Sequence, residues 1–183
     1  MASDFSIRHA ASIIKSGGII AYPTDTIYGL GCDPYNANAV ERLNSIKSRS
    51  PDKKFILLAA NIEQIESLTY LTENQKKQIT QNTEPTSWVV VAKRSVPQWL
   101  LSEDGTVTVR IGKNKDVQKL CHILGHAITS TSANLSGQHP AKNSLELHQR
   151  FHSDIDKIIA TNEKLTARPS KIIRLCDNRI LRN

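Results

Sequence analysis

Two segments deliver hydroxyls where an apolar run stops. Ile19-Ile20-Ala21-Tyr22 leads into Pro23-Thr24-Asp25-Thr26, and Ala127-Ile128 leads into Thr129-Ser130-Thr131-Ser132-Ala133-Asn134. Consecutive small hydroxyls weaken a helix and pack poorly in a core, but they offer donors to phosphate or carboxylate oxygens. At the ends of buried strands they are placed to line a pocket. Between the two segments lie Lys47-Ser48-Arg49 and Lys53. A lysine supplies a point charge and an arginine a planar fork, and together they suit a polyphosphate. A solvated helix C-terminus also favours such cations, but the apolar run that starts at Phe55 anchors them near a sheet end. Arg110 closes the alternating segment Thr106-Val107-Thr108-Val109 and, beside apolar neighbours, it needs a partner. A ligand carboxylate and a structural Asp or Glu are equally good candidates.

Other chemistries are excluded or left without support. The chain has no Gly-x-x-x-x-Gly-Lys-[Ser/Thr] loop and no Gly-x-Gly-x-x-Gly opening a helix, which removes the P-loop and the Rossmann fingerprint. Gly29-Leu30-Gly31 alone reads as a tight turn. His122 and His126, and likewise His148 and His152, are four apart but lack a Glu or Cys at ligand spacing, so they read as surface histidines. Cys32, Cys121 and Cys176 are far apart, which argues against a disulfide framework and for a reducing compartment. The N-terminal segment lacks the apolar core of a signal peptide, and no run approaches a membrane span. The expected setting is cytoplasmic. The formal net charge of +7 favours polyanionic partners such as nucleotides or RNA.

The elements that must position these residues follow from period and capping. Ser3 or Asp4 caps a helix with Ile7, Ala10, Ala11 and Ile14 on one face, ended by Gly17-Gly18. Asn36 or Asn38 caps a second helix, Asn61 a short third, and Thr72-Glu73-Asn74-Gln75 has the form of a capping box. Further helices are expected over 116–124, closed by Gly125, and over 144–151. Strands are expected at 19–22, 55–60, 88–92, 106–111, 127–130, 155–160 and 171–175, with a short one at 179–181. Pro23 should end the first strand, because proline cannot continue a central ladder. Helices and strands alternate without long linkers or repeats, which predicts one α/β domain over residues 1–183. The strand-after-strand succession in the last third predicts a mixed parallel and antiparallel sheet.

Taken together, Pro23-Thr24-Asp25-Thr26-x-Tyr28-Gly29-Leu30-Gly31, Lys47-Ser48-Arg49, Val109-Arg110 and Ser130-Thr131-Ser132-Ala133-Asn134-x-Ser136-Gly137 resemble the YrdC/TsaC family in order and spacing. The likeness runs from the first helix to Ser170, and the length is that of the single-domain type. The resemblance implies an open, twisted α/β sheet flanked by helices, with a deep basic cavity. It implies synthesis of threonylcarbamoyl-AMP and pyrophosphate from L-threonine, bicarbonate and ATP, with Mg²⁺ accompanying ATP. Partner proteins would then transfer the threonylcarbamoyl group to adenosine 37 of tRNAs that read codons beginning with A, and direct tRNA binding is compatible with the charge.

Carried over by motif, Thr24, Tyr28, Arg110 and Ser130 would hold threonine. Lys47, Arg49 and Lys53 would face the triphosphate, with Lys47 and Arg49 serving the chemistry. Ser132 and Asn134 would position the adenylate, and Ser170 would add a late nucleotide contact. The resemblance leaves the metal ligands unknown. Glu84 stands where relatives carry glycine, so it either points away from the phosphates or helps hold Mg²⁺. Two other readings stay open: an RNA-binding module without this catalysis, and a carbamoyl-handling enzyme with another acceptor.

Overall fold

A short polar side chain caps the helices, as local chemistry dictates. In the computed structural model, which describes residues 2–48, 54–135, 137–161, 165 and 169–183, the Ser3 hydroxyl accepts from the Ser6 amide at 3.2 Å and opens α1 (Asp4–Lys15). Ile7, Ala10, Ala11 and Ile14 are its buried face. Asn36 opens α2 (Ala37–Ile46), Asn61 opens α3 (Ile62–Glu66), and the Thr72/Gln75 capping box opens α4 (Glu73–Gln81). Asn114 opens α5 (Lys115–Leu124), and Asn143 opens α6 (Ser144–Phe151). Gly125 ends α5 at φ +81°, a left-handed position that favours glycine.

The described residues form nine strands in one sheet: β1 (Ile20–Pro23), β2 (Tyr28–Gly31), β3 (Ile56–Ala59), β4 (Thr86–Val91), β5 (Thr106–Ile111), β6 (Ile128–Ser132), β7 (Lys157–Ile158), β8 (Lys171–Arg174) and β9 (Ile180–Arg182). Their order is β7-β1-β2-β6-β3-β5-β4-β8-β9. The pairs β1/β7, β3/β5 and β4/β8 are parallel, and the others are antiparallel, so the sheet is mixed as expected.

Two expectations change. Gly29-Leu30-Gly31 is not a turn: it is most of β2, paired to β1 and to β6. The glycines are there for space, because the Tyr22 ring lies across them. A Cβ on Gly31 would stand 2.1 Å from the Thr129 carbonyl oxygen. The strand expected over 155–160 is only two residues long, paired on one side to β1 at the sheet edge.

Register places the cavity. Ser130, Ile56 and Thr108 lie side by side on β6, β3 and β5, and Ile128, Leu58 and Arg110 form the next row of the same face. Leu58 and Ile128 are covered by α1 and α5 through Ile7, Ile14, Val117 and Leu120. That helical layer stops at this row. Ser130, Ile56 and Thr108 therefore border an open recess, and Arg110 stands where apolar packing gives way to it.

Candidate active site

The recess is a cavity of about 350 Å³. Thr24, Thr26 and Tyr28 line it from the β1–β2 hairpin, Arg110 from β5, and Ser130, Ser132 and Asn134 from the end of β6 and the loop beyond. Lys54 comes from just before β3, and Ser170 and Arg182 from the C-terminal hairpin β8–β9. Seven residues singled out from the sequence thus share one wall system: Thr24, Tyr28, Arg110, Ser130, Ser132, Asn134 and Ser170. Arg49 and Lys53, together with Ser136, lie outside the described residues.

Lys47 departs from the expectation that it faces a triphosphate. It caps the C-terminus of α2, is buried, and does not line the cavity. Its ammonium donates to the Ser132 carbonyl at 2.5 Å, to the Asn134 carbonyl, and to Asn134 Oδ1 at 3.1 Å. The Asn134 side chain is a hub. Its Oδ1 also accepts from the Ser132 hydroxyl at 2.5 Å, and its Nδ2 donates to the carbonyls of Leu135 at 2.9 Å and Gln138 at 2.8 Å. Lys47 therefore fastens α2 to the loop whose residues line the cavity. A buried ammonium needs such acceptors, and these carbonyls are the ones within reach.

The hairpin tip is rigid for a local reason. The Thr24 hydroxyl accepts from the amides of Thr26 and Ile27, each at 3.1 Å, and donates to the Ile27 carbonyl at 2.7 Å. Such closure of a threonine hydroxyl onto the following backbone is a common turn device. The Tyr28 hydroxyl accepts from the Thr161 amide at 3.2 Å. Tyr22, fully buried beneath the cavity, donates to the Thr129 carbonyl at 3.0 Å, and burial pushes its phenol well above the ordinary range, against the hydrogen bond with Ser130. Ser170 shares a 2.9 Å hydrogen bond with Ser87, and its carbonyl accepts from Arg182 Nε at 3.2 Å and Nη2 at 2.8 Å. Burial, and then the like charge of Arg110, lower the pKa of Arg182. Two guanidinium groups thus feel each other across the cavity.

Arg110 has found a structural partner, which resolves one of the two options left open by the sequence. Arg110 Nη2 and Asp25 Oδ1 form an ion pair, with side chains only 6% and 13% exposed. Yet Nε and Nη2 of Arg110 and both oxygens of Asp25 are enclosed without a hydrogen bond. The pair is close but misaligned, and these atoms are closed off from the cavity that Arg110 lines. A carboxylate arriving from the cavity meets the guanidinium charge there in a charge-assisted contact.

Sequence reasoning missed Lys54, Thr26 and Arg182. Lys54 was one position from the chosen Lys53, and its place beside buried Phe55 is the signal that could have found it. Arg182 sits in a terminal strand of exposed residues and carries no local signal, because only the pairing of β9 with β8 turns it inward. Glu84 points away from the cavity. It pairs with Lys171 Nζ at 2.6 Å on the surface, and this contact lowers its pKa.

Among the described residues no group of three or more His, Cys, Asp or Glu could hold a metal ion, and no helix is long and apolar enough to cross a membrane.

Comparison with known proteins gives the same picture of the fold. Residues 12–183 match the Sua5/YciO/YrdC family, whose description reads "telomere recombination". The threonylcarbamoyl-AMP synthase of Nitrosococcus oceani is 40% identical over 171 residues, covering 92% of each chain. The protein of that name from Pseudomonas aeruginosa is 36% identical over 184 residues, covering 100% of this chain and 99% of its own. Among solved structures, P. abyssi Sua5 complexed with L-threonine superposes with a TM-score of 0.90 at 29% identity over 97% of this chain. This chain spans about half of that protein, covering 53% of it. E. coli YciO superposes at 0.87 with 27% identity, covering 97% of this chain and 88% of its own.

Proposed function

This chain belongs to the Sua5/YciO/YrdC family, and from that premise we propose that it is a threonylcarbamoyl-AMP synthase of the nucleotidyltransferase type. The observation that carries the reading is Arg110, a buried guanidinium at the wall of a hydroxyl-lined, cationic cavity.

In this reading the threonine carboxylate meets Arg110, and Ser130 and the rigid Thr24–Thr26 turn shape the space for its hydroxyl and methyl, with Tyr28 closing one side. Threonine binds as the zwitterion; once its ammonium has released a proton to solvent, the neutral amine and bicarbonate give a carbamate and water. A carbamate oxygen then attacks the α-phosphorus of ATP, and the bond to pyrophosphate breaks. Little covalent work falls to the protein. Holding the reactants together removes an entropic barrier of up to about 7–11 kcal/mol in well-oriented systems.

Lys54 and Arg182 are placed to meet phosphate charge, and Ser132, Asn134 and Ser170 to orient the nucleotide. Lys47 acts one step back, by holding Ser132 and Asn134. Arg49 and Lys53 keep the phosphate-facing role that the family motif implies. Mg²⁺ enters as part of the substrate MgATP, since it is commonly held by phosphate oxygens and water and not by an all-protein cage. The product serves the N6-threonylcarbamoyl modification of tRNA through partner proteins in the cytoplasm. Direct tRNA contact fits the net charge of +7.

The deciding experiment is mass detection of threonylcarbamoyl-AMP together with pyrophosphate release. Both should require threonine, bicarbonate and MgATP at once. Pyrophosphate release without threonine, or none under any condition, refutes the reading. Arg110→Lys should lower kcat/KM for threonine roughly 10–150-fold, the worth of about 1.5–3 kcal/mol in a charged hydrogen bond, with KM for ATP little changed.

A further inference from the structure

Arg110 alone would suffice to hold a carboxylate, and Lys54 and Arg182 already make the cavity cationic. A second, negative charge beside Arg110 weakens the pull on any simple anion. Asp25 nevertheless stands there, enclosed, paired with Arg110 and without a hydrogen bond to either oxygen. Burying an ion pair whose remaining hydrogen bonds are unmet is a poor route to stability, and an unsatisfied buried polar group at a functional wall asks for another explanation. The residues on either side of Asp25, Thr24 and Thr26, both line the cavity. The carboxylate therefore sits just behind the surface that a ligand touches, where low dielectric lets its field reach across.

Opposite charges one contact apart match a zwitterion and mismatch a bare anion, because the second charge repels what the first attracts. Specificity built by such a repulsive element is a general device. We propose that Asp25 is a specificity-determining residue: its charge, set against Arg110, makes the cavity select a zwitterionic α-amino acid over a simple carboxylate of the same shape. Asp25 acts through its field and through the orientation of Arg110, and the inference rests on the reading of this cavity as the threonine site.

The test compares L-threonine with 3-hydroxybutyrate, which is threonine without its amine, by calorimetric titration of the full chain. Wild type should prefer threonine by about tenfold or more, and Asp25→Asn should shrink that preference to about threefold or less, with 3-hydroxybutyrate bound as well as before or better. An unchanged preference in Asp25→Asn overturns the inference, and so does an equal weakening of both ligands. If Asp25→Asn alone is too unstable to titrate, Asp25→Asn/Arg110→Gln leaves no unpaired buried charge. It should bind the two ligands equally weakly, and a retained preference for threonine overturns the inference. Turnover separates the two failures. A wild-type protein that makes threonylcarbamoyl-AMP while the preference ignores Asp25 refutes only the role of Asp25. A wild-type protein that makes none and binds neither ligand refutes both.

Discussion

Gly31→Ala is expected to be among the costliest one-carbon changes in the chain. The added Cβ would stand 2.1 Å from the Thr129 carbonyl oxygen and 3.0 Å from Tyr22 Cε1 and the Tyr22 hydroxyl. Neither neighbour can step aside cheaply. Thr129 is backbone in β6, and the Tyr22 hydroxyl donates to that same carbonyl at 3.0 Å. Overpacking of this kind costs about 1–3 kcal/mol, and loosening a buried hydrogen bond adds about 1 kcal/mol. The reduced freedom of the unfolded chain returns about 0.4–1 kcal/mol. At the severe end of the steric range the net loss is about 3 kcal/mol, or a fall in Tm of roughly 6–12 °C for a chain of this size. Gly29→Ala is the internal control. Its Cβ would meet Ser130 Oγ and the Tyr22 ring at 3.3 Å, which a shift of a few tenths of an ångström relieves. It should stay within about 1 kcal/mol of wild type. Thermal and urea unfolding of the two variants measure the difference. Gly31→Ala as stable as wild type, or Gly29→Ala costlier than Gly31→Ala, would refute the argument that Tyr22 and Thr129 are what make β2 a glycine strand.

Three further outcomes are expected. Lys47→Met leaves the carbonyls of Ser132 and Asn134 and Asn134 Oδ1 without their donor, so it should cost about 1–3 kcal/mol in urea unfolding and raise amide exchange over residues 132–138; unchanged exchange there would refute its fastening role. Burial pushes Cys32 up to about 11 and Cys121 up to about 12 from an ordinary 9.0. Between these limits the folded state holds protons that the unfolded chain has lost, so stability is full below pH 9 and falls above it, by at most about 1.4 kcal/mol per pH unit per thiol; Cys32→Ala should flatten that decline in pH-dependent unfolding. Glu84→Gln breaks only an exposed pair with Lys171 and should leave the urea-unfolding midpoint unchanged. The Mg²⁺ dependence of pyrophosphate release should not move, and a shift would place Glu84 in the phosphate site after all.

Local information was enough for most elements. Ser3, Asn36, Asn61 and Thr72 announce helices because a cap is a contact between near neighbours in sequence, and the inward faces of α1 and α2 follow from period alone. The run at β3 reads as a strand buried on both faces because Leu58 packs under α1 and α5 on one face while Leu57 and Ala59 pack into a second apolar cluster on the other. The site was legible as far as its motifs are contiguous: Thr24 to Tyr28 and Ser130 to Asn134 are each one stretch of chain, and both meet at the cavity.

What the chain could not announce is anything settled by residues distant in sequence. Gly29 and Gly31 read as a turn because the ring that demands their missing side chains belongs to Tyr22 on the neighbouring strand. The partner of Arg110 is 85 positions earlier, and only the way the β1–β2 hairpin reaches over the sheet selects Asp25. Lys47 looked like a phosphate ligand because its type and neighbours allow it, and the closing of α2 onto the end of β6 gave its charge other oxygens. Arg182 entered the cavity through strand pairing at the far edge of the sheet. Period and capping are short-range and survive in a linear string, whereas the direction of a charged side chain depends on which oppositely charged group the packed fold brings within a few ångströms.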